Sequence, residues 1–177
     1  MLTRETFEKA SKMALEYFGK ANIKVTEEEK SKIEVADFGL SDLWNTGLEI
    51  LTYVNTDRVC AKELVLFPFQ TCPEHRHPVI GAYPGKEETF RCRYGSVYLY
   101  VDGEASEIYT VNHPEGKYTV FHEIKLNAGE QYTLYPNTKH WFKSGVEGAV
   151  VSEFSTSSFD EGDIFTDERI MRVPEVE

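Results

Sequence analysis

The segment Pro73–Gly95, PEHRHPVIGAYPGKEETFRCRYG, decides how the rest of the chain is read. His75 and His77 stand two residues apart. In a β-strand residues i and i+2 share a face, so the imidazoles project together while Glu74 and Arg76 point the other way. Adjacent imidazoles on a strand are half of a metal site. The candidates to complete it are Glu88, at the start of the next strand-like run, and His140 in YPNTKHWF. Three imidazoles and a carboxylate suit a borderline divalent ion such as Mn, Fe, Co, Ni or Zn, and an ion accepting six ligands keeps positions open for substrate oxygens. Open positions mark a catalytic rather than a structural site. His113, in the turn-forming Asn-His-Pro-Glu-Gly, and His122, alternating with Val120 and Ile124, read as ordinary loop and strand residues.

Outward from this segment the texture is β. Leu48 to Val54, Val59 to Phe69, Glu88 to Val101, Tyr118 to Leu126, Gln131 to Tyr135, His140 to Lys143 and Ala149 to Phe154 are rich in β-branched and aromatic residues, with Gly, Asn, Asp or Pro between them. Many short strands in series predict a sandwich or barrel. Before them, Phe7, Ala10, Ala14, Tyr17 and Phe18 recur at helical spacing, predicting an amphipathic helix from Thr3 to about Ala21. Thr26 to Glu29 has the form of a capping box opening a second short helix through about Val35. The expectation is one all-β dominated domain spanning 1–177, with a helical arm and connector (1–46), a β-barrel (47–160) and a C-terminal edge segment (161–177).

The formal net charge of -11 argues against nucleic acid or an anionic membrane surface as partner and leaves a small molecule as the better guess. Cys60, Cys72 and Cys92 are an odd count without C-x-x-C spacing, which suggests reduced thiols rather than disulfides or a thiolate zinc site. Residues 1–20 carry charges throughout, and there is no apolar run long enough to span a bilayer, so a soluble cytoplasmic protein is expected.

Two further ionisable groups stand in apolar strands. A tight hairpin centred near Val146 and Glu147 would set Glu153 opposite His140 and point it into the barrel, either as a buried structural partner or as a general base. Lys62 precedes the longest apolar run; it either holds a substrate oxygen or reaches out to water. Phe90, Tyr94, Trp141 and Phe154 offer an apolar wall for a sugar ring, or are simply core.

Together these residues resemble the cupin family, the jelly-roll-like β-barrels whose first motif runs G-x5-H-x-H-x3-4-E-x6-G. His75-Arg-His77 matches the pair, Glu88 is followed by Gly95 at the family spacing, and Gly129 is followed by His140 at the distance of the second motif. The insert Pro78 to Lys86 lengthens the step to Glu88, and the E-x6-G spacing favours Glu88 over Glu87. With HRHP…YPGKEETFRCRYG, LYPNTKHWF, SEFSTSSFDEGDIF and RVPEVE, the chain is similar over most of its length to the D-lyxose ketol-isomerases, small metal-dependent cupins. The resemblance implies metal binding by His75, His77, Glu88 and His140, typically of manganese. It also implies acid–base and polar pocket roles for Glu153 and Lys62, and conversion of D-lyxose to D-xylulose, with slower D-mannose to D-fructose, by proton transfer through an enediol. Cupins often dimerise, and a homodimer is expected. An Fe(II) dioxygenase and a non-catalytic sugar-sensing cupin are the alternatives; oxygen uptake would mark the first, and sugar binding without turnover the second.

Overall fold

Helix α1 (Arg4–Lys20) begins where the Thr3 side chain accepts a hydrogen bond from the Thr6 amide, and it buries the face carrying Ala10, Ala14, Tyr17 and Phe18. That face packs on Leu51, Val65, Phe67 and Val150, which belong to the outer side of a β-sheet. The neighbours Leu64 and Leu66 point into the other core. Burial on both faces is why this stretch is a continuous apolar run rather than an alternating one. The computed structural model describes residues 2–172; the rest of the C-terminal segment expected at 161–177 lies outside the described residues.

The Thr26–Glu29 capping box forms, with both of its hydrogen bonds, but α2 is only Glu27–Lys30. The helix expected through Val35 stops short because Ile33 and Val35 are buried and Glu34–Ala36 pairs as strand β1 against β2. One helical turn without an apolar stripe does not hold against that pairing.

The remaining strands are β2 (Leu48–Asn55), β3 (Cys60–Leu66), β4 (Thr71–Arg76), β5 (Glu88–Val101), β6 (His122–Asn127), β7 (Gln131–Leu134), β8 (His140–Ser155) and β9 (Ile164–Phe165). They form a curled antiparallel sheet in the order β1-β2-β3-β8-β4-β9, with β5 linking β6 and β7 to β8. The architecture is the all-β, cupin-like barrel with an N-terminal helix that the sequence predicts. Among the described residues no helix is long and apolar enough to cross a membrane.

One expectation is corrected. No hairpin separates His140 from Glu153; His140–Ser155 is a single strand that pairs with β5 along its length, from Glu88↔Ser155 to Val101↔His140. Register shifts between Cys92 and Tyr94 and between Gly95 and Val97 bend this ribbon back on itself, so its two ends meet. At the bend Gly95 (φ 67°) and Gly148 (φ 76°) touch backbone to backbone; a Cβ on Gly95 would lie 2.0 Å from the Gly148 carbonyl oxygen.

Glu49, on β2, is fully buried with α1's partners; Gln70 Nε2 donates to its Oε1 at 3.3 Å, and Oε2 has no partner. Burial pushes this carboxyl well above its usual range, more than the Gln70 hydrogen bond lowers it. A carboxyl with a raised folded-state pKa binds its proton more tightly folded than unfolded, so its contribution is lost as pH rises above the ordinary value of 4.5. Glu49→Gln is therefore expected to stabilise the fold by about 1–3 kcal/mol at neutral pH. Denaturant unfolding at neutral pH and near pH 4.5 should show the gain in the first and not in the second.

Candidate active site and metal centre

β4 carries His75 and, just past its end, His77 on the barrel's inner side, and the ladder sets His75 directly opposite His140 of β8. Glu74 takes the other face, as alternation requires. It is buried there and accepts hydrogen bonds from Thr119 N (2.6 Å), Thr119 Oγ1 (2.7 Å) and Val120 N (3.0 Å), fastening a loop to the barrel. The ring centroids of His75 lie 5.0 Å from His77 and 4.3 Å from His140.

Each ring is oriented through Nδ1. His75 Nδ1 meets Pro73 O at 2.8 Å, His140 Nδ1 meets Thr138 O at 3.0 Å, and His77 Nδ1 meets Asp163 Oδ1 at 2.5 Å. A carbonyl can only accept, so His75 and His140 carry their proton on Nδ1 and present a bare Nε2. The three rings offer ligand atoms all within 4.8 Å of one another, so this buried cluster could hold a metal ion. Glu88 borders it, with Oε1 3.1 Å from His77 Nε2 and 3.2 Å from His140 Nε2. His140 Nε2 nonetheless lacks a hydrogen-bond partner, since with the proton on Nδ1 it has none to donate to the carboxylate. An orphaned, buried nitrogen beside a carboxylate and two imidazoles is what a borderline divalent cation satisfies.

Charge follows the same plan. Burial, then the neighbouring rings of His140 and His77, push His75 well below the usual histidine range. Burial also works against charge on His77, but the carboxylates of Glu88 and Asp163 hold it up to about 9. A cation binding there displaces a proton. Burial opposes ionisation of Glu88, yet Lys86 and His77 outweigh it and keep the carboxyl well below its usual range. Glu87 is exposed, leaving Glu88 as the acid at the cluster.

Lys62 and Glu153 are directly opposite in the β3–β8 ladder, and both are buried. The Lys62 ammonium, however, is tied to Asp160 Oδ2 (2.6 Å) and Ser158 Oγ (3.1 Å). The ammonium that meets Glu153 belongs to Lys86, which bridges Glu153 Oε1 and Glu88 Oε2 at 2.8 Å each. Burial opposes its charge, but Glu153, Glu88 and Asp160 hold its pKa well above the usual lysine value. Lys86 was hidden in what reads as a loop insert; its one legible signal is the two-residue spacing to Glu88, which shares a face on extended chain.

The cluster opens on a cavity with about 400 Å³ of space free of protein atoms, its open mouth included. Lys62, Lys86, Glu88, Glu153 and Phe90 line it. The expected aromatic wall is otherwise corrected. Trp141, next to His140, necessarily faces the opposite side, where it stacks on Tyr100 at 3.8 Å and donates Nε1–H to Val120 O. Tyr94 follows the β5 register shift and packs edge-on against Tyr17 of α1 at 6.0 Å. Phe154 is half exposed outside.

No protein-family model matches the chain. It is 63% identical over 180 aligned positions, covering 100% of the chain and 99% of the relative, to a D-lyxose/D-mannose isomerase of Thermosediminibacter oceani. It is 59% identical over 179 positions, 99% of each chain, to a D-lyxose ketol-isomerase of Thermofilum sp.. Among solved structures, an L-ribose isomerase of Acinetobacter sp. DL28 in complex with L-ribose superposes with a TM-score of 0.75 at 15% identity over 99% of this chain and 98% of that one. An L-ribose isomerase of Cellulomonas parahominis without ligand gives 0.73 at 16% identity, over 95% and 94%. At such identity the structural likeness is one of fold.

Proposed function

The chain belongs to the D-lyxose ketol-isomerase family, and from that membership we propose that it is an intramolecular oxidoreductase converting D-lyxose to D-xylulose, with D-mannose to D-fructose as a slower second reaction. The observation that carries the reading is Lys86 held between two buried carboxylates, Glu88 beside the histidines and Glu153 in the cavity. Ion binding and proton transfer thereby fall to separate acids, a division that favours isomerisation over oxygen chemistry.

His75, His77, Glu88 and His140 would hold the divalent ion, manganese by preference. When bound, the ion supplies Lewis-acid polarisation of the sugar carbonyl. Glu153 takes the proton from C2 of the aldose and returns it to C1 on the same face, while the hydroxyl proton passes from O2 to O1. C1 thereby becomes CH2OH and C2 the ketone, with nothing gained or lost. Lys86 fixes the Glu153 carboxylate and keeps one of its three N–H groups, after Glu88 and Glu153, for a substrate oxygen. Lys62, likewise left with one donor after Ser158 and Asp160, binds a hydroxyl further along the sugar, and Phe90 gives the cavity an apolar side. A cytoplasmic setting is supported by three buried free thiols. A homodimer is the assembly expected, by likeness to other cupins.

The test is ketose formation from D-lyxose and D-mannose by metal-stripped and by manganese-reloaded protein. Xylulose from the reloaded protein alone is the expected result; metal-loaded protein inert on every aldose would overturn the reading. Lys86→Met is expected to lower kcat about 10- to 100-fold with the metal retained, because Glu153 loses the cation that positions it. Unchanged kcat would take Lys86 out of the reaction.

A further inference from the structure

Among the described residues β1 pairs only with β2 and β9 only with β4, so the curled sheet ends in two edges that do not pair with each other. The C-terminal segment runs into this seam. Met171 N donates to Phe38 O at 2.9 Å, and Phe38 packs against Phe165 with ring centroids 5.9 Å apart. Gly39, at φ 72°, admits the segment closely, since a Cβ there would lie 3.1 Å from Met171 Cβ. The next residue, Arg172, is the seam's plug. Its side chain is 14% exposed, Nη1 is ion-paired with Glu34 of β1, and Nη2 lies 3.0 Å from Asp160 Oδ2.

Arg172 and Asp160 line the cavity described above and also line a groove on the outside, which they share with Glu34 and Phe159. Their ion pair is thus part of the partition between the two spaces. The contacts also set a direction. From Glu153 the ladder leads to Lys62, from Lys62 the ammonium leads to Asp160 at 2.6 Å, and from Asp160 to Arg172. A sugar whose C1–C2 end lies at Glu153 therefore points its tail along that line toward the guanidinium. There the tail end meets the guanidinium beside the Phe38–Phe165 pair, and the guanidinium keeps three of its five N–H groups after Glu34 and Asp160.

We infer that Arg172 is a specificity-determining residue that closes the far end of the cavity and so sets the length of sugar accepted, favouring a five-carbon over a six-carbon aldose. This rests on the isomerase reading. Held from both sides, the guanidinium meets the terminal hydroxymethyl of a pentose and crowds the extra carbon of a hexose. With the partition removed, that extra carbon can extend into the outer groove.

The experiment compares kcat/KM for D-mannose and D-lyxose, each resolved into kcat and KM, in manganese-loaded wild type, Arg172→Ala and Glu34→Gln. Selection over one carbon in a fitted pocket is worth about 10- to 200-fold. Arg172→Ala is accordingly expected to raise the mannose-to-lyxose ratio about tenfold, through a lower KM for mannose and a higher one for lyxose. Glu34→Gln keeps the guanidinium and weakens its outer tether from an ion pair to a neutral hydrogen bond, so it should move the ratio the same way by a smaller factor and serves where Arg172→Ala does not fold. A ratio unchanged within about twofold, or kcat/KM falling in parallel for both sugars, overturns the inference and leaves Arg172 a structural role. Wild-type protein inactive on both sugars is a separate result that overturns the functional reading.

Discussion

His77→Ala should abolish metal occupancy and turnover together. His77 is bound at both nitrogens, Nε2 3.1 Å from Glu88 Oε1 and Nδ1 2.5 Å from Asp163 Oδ1, so it joins the acid bordering the cluster to the acid that orients the ring. Removing the imidazole deletes one of three convergent nitrogens and leaves two buried carboxylates facing a void. Glu88 keeps Lys86, but Asp163 Oδ1 loses the ring that partnered it, and the site loses its claim on a divalent ion. Lewis-acid polarisation is worth several kcal/mol of barrier, so turnover should fall by at least about three orders of magnitude. Elemental analysis of the purified variant reads the first half, and ketose formation the second. Full metal content would remove His77 from the ligand set.

Glu153→Gln is expected to separate binding from chemistry. The amide keeps the shape of the carboxylate and still offers an oxygen to Lys86, 2.8 Å away in the parent chain, but it cannot take a proton from carbon. Metal content should stay at the wild-type level while kcat falls by at least about two orders of magnitude, the usual scale for loss of a general base. Retention of wild-type turnover would move the proton transfer to another group, or replace it by a hydride shift that needs no base at carbon.

The sequence makes one half of this site plain and conceals the other for identifiable reasons. His75 and His77 are legible because strand alternation is a strict period of two, and the same rule explains why Glu74 turns away to hold Thr119 and why Trp141, one residue from His140, belongs to the opposite face. Tyr94 could not be assigned that way, since the register shift after Cys92 changes which residues face inward. Glu153 does come near Glu88 as His140 does, but by a different route from the expected hairpin: a single strand, bent at Gly148, brings its own two ends together. Lys86, Asp160 and Asp163 come from an insert and a turn where no periodicity marks which side chains point inward. Their part in the site emerges only once Glu88 and Glu153 are seen to share one ammonium and His77 to lean on Asp163.

Proton transfer by Glu153 within a metal-dependent isomerase is the central claim, and the most direct measurement is to let the manganese-loaded protein convert D-lyxose in deuterated water and to locate the label by NMR. The account predicts that part of the D-xylulose carries deuterium at C1, because a proton held on a carboxylate exchanges with solvent in a fraction of turnovers before it is returned to carbon. D-xylulose retaining all of its hydrogen from C2, or no ketose at all, would contradict it.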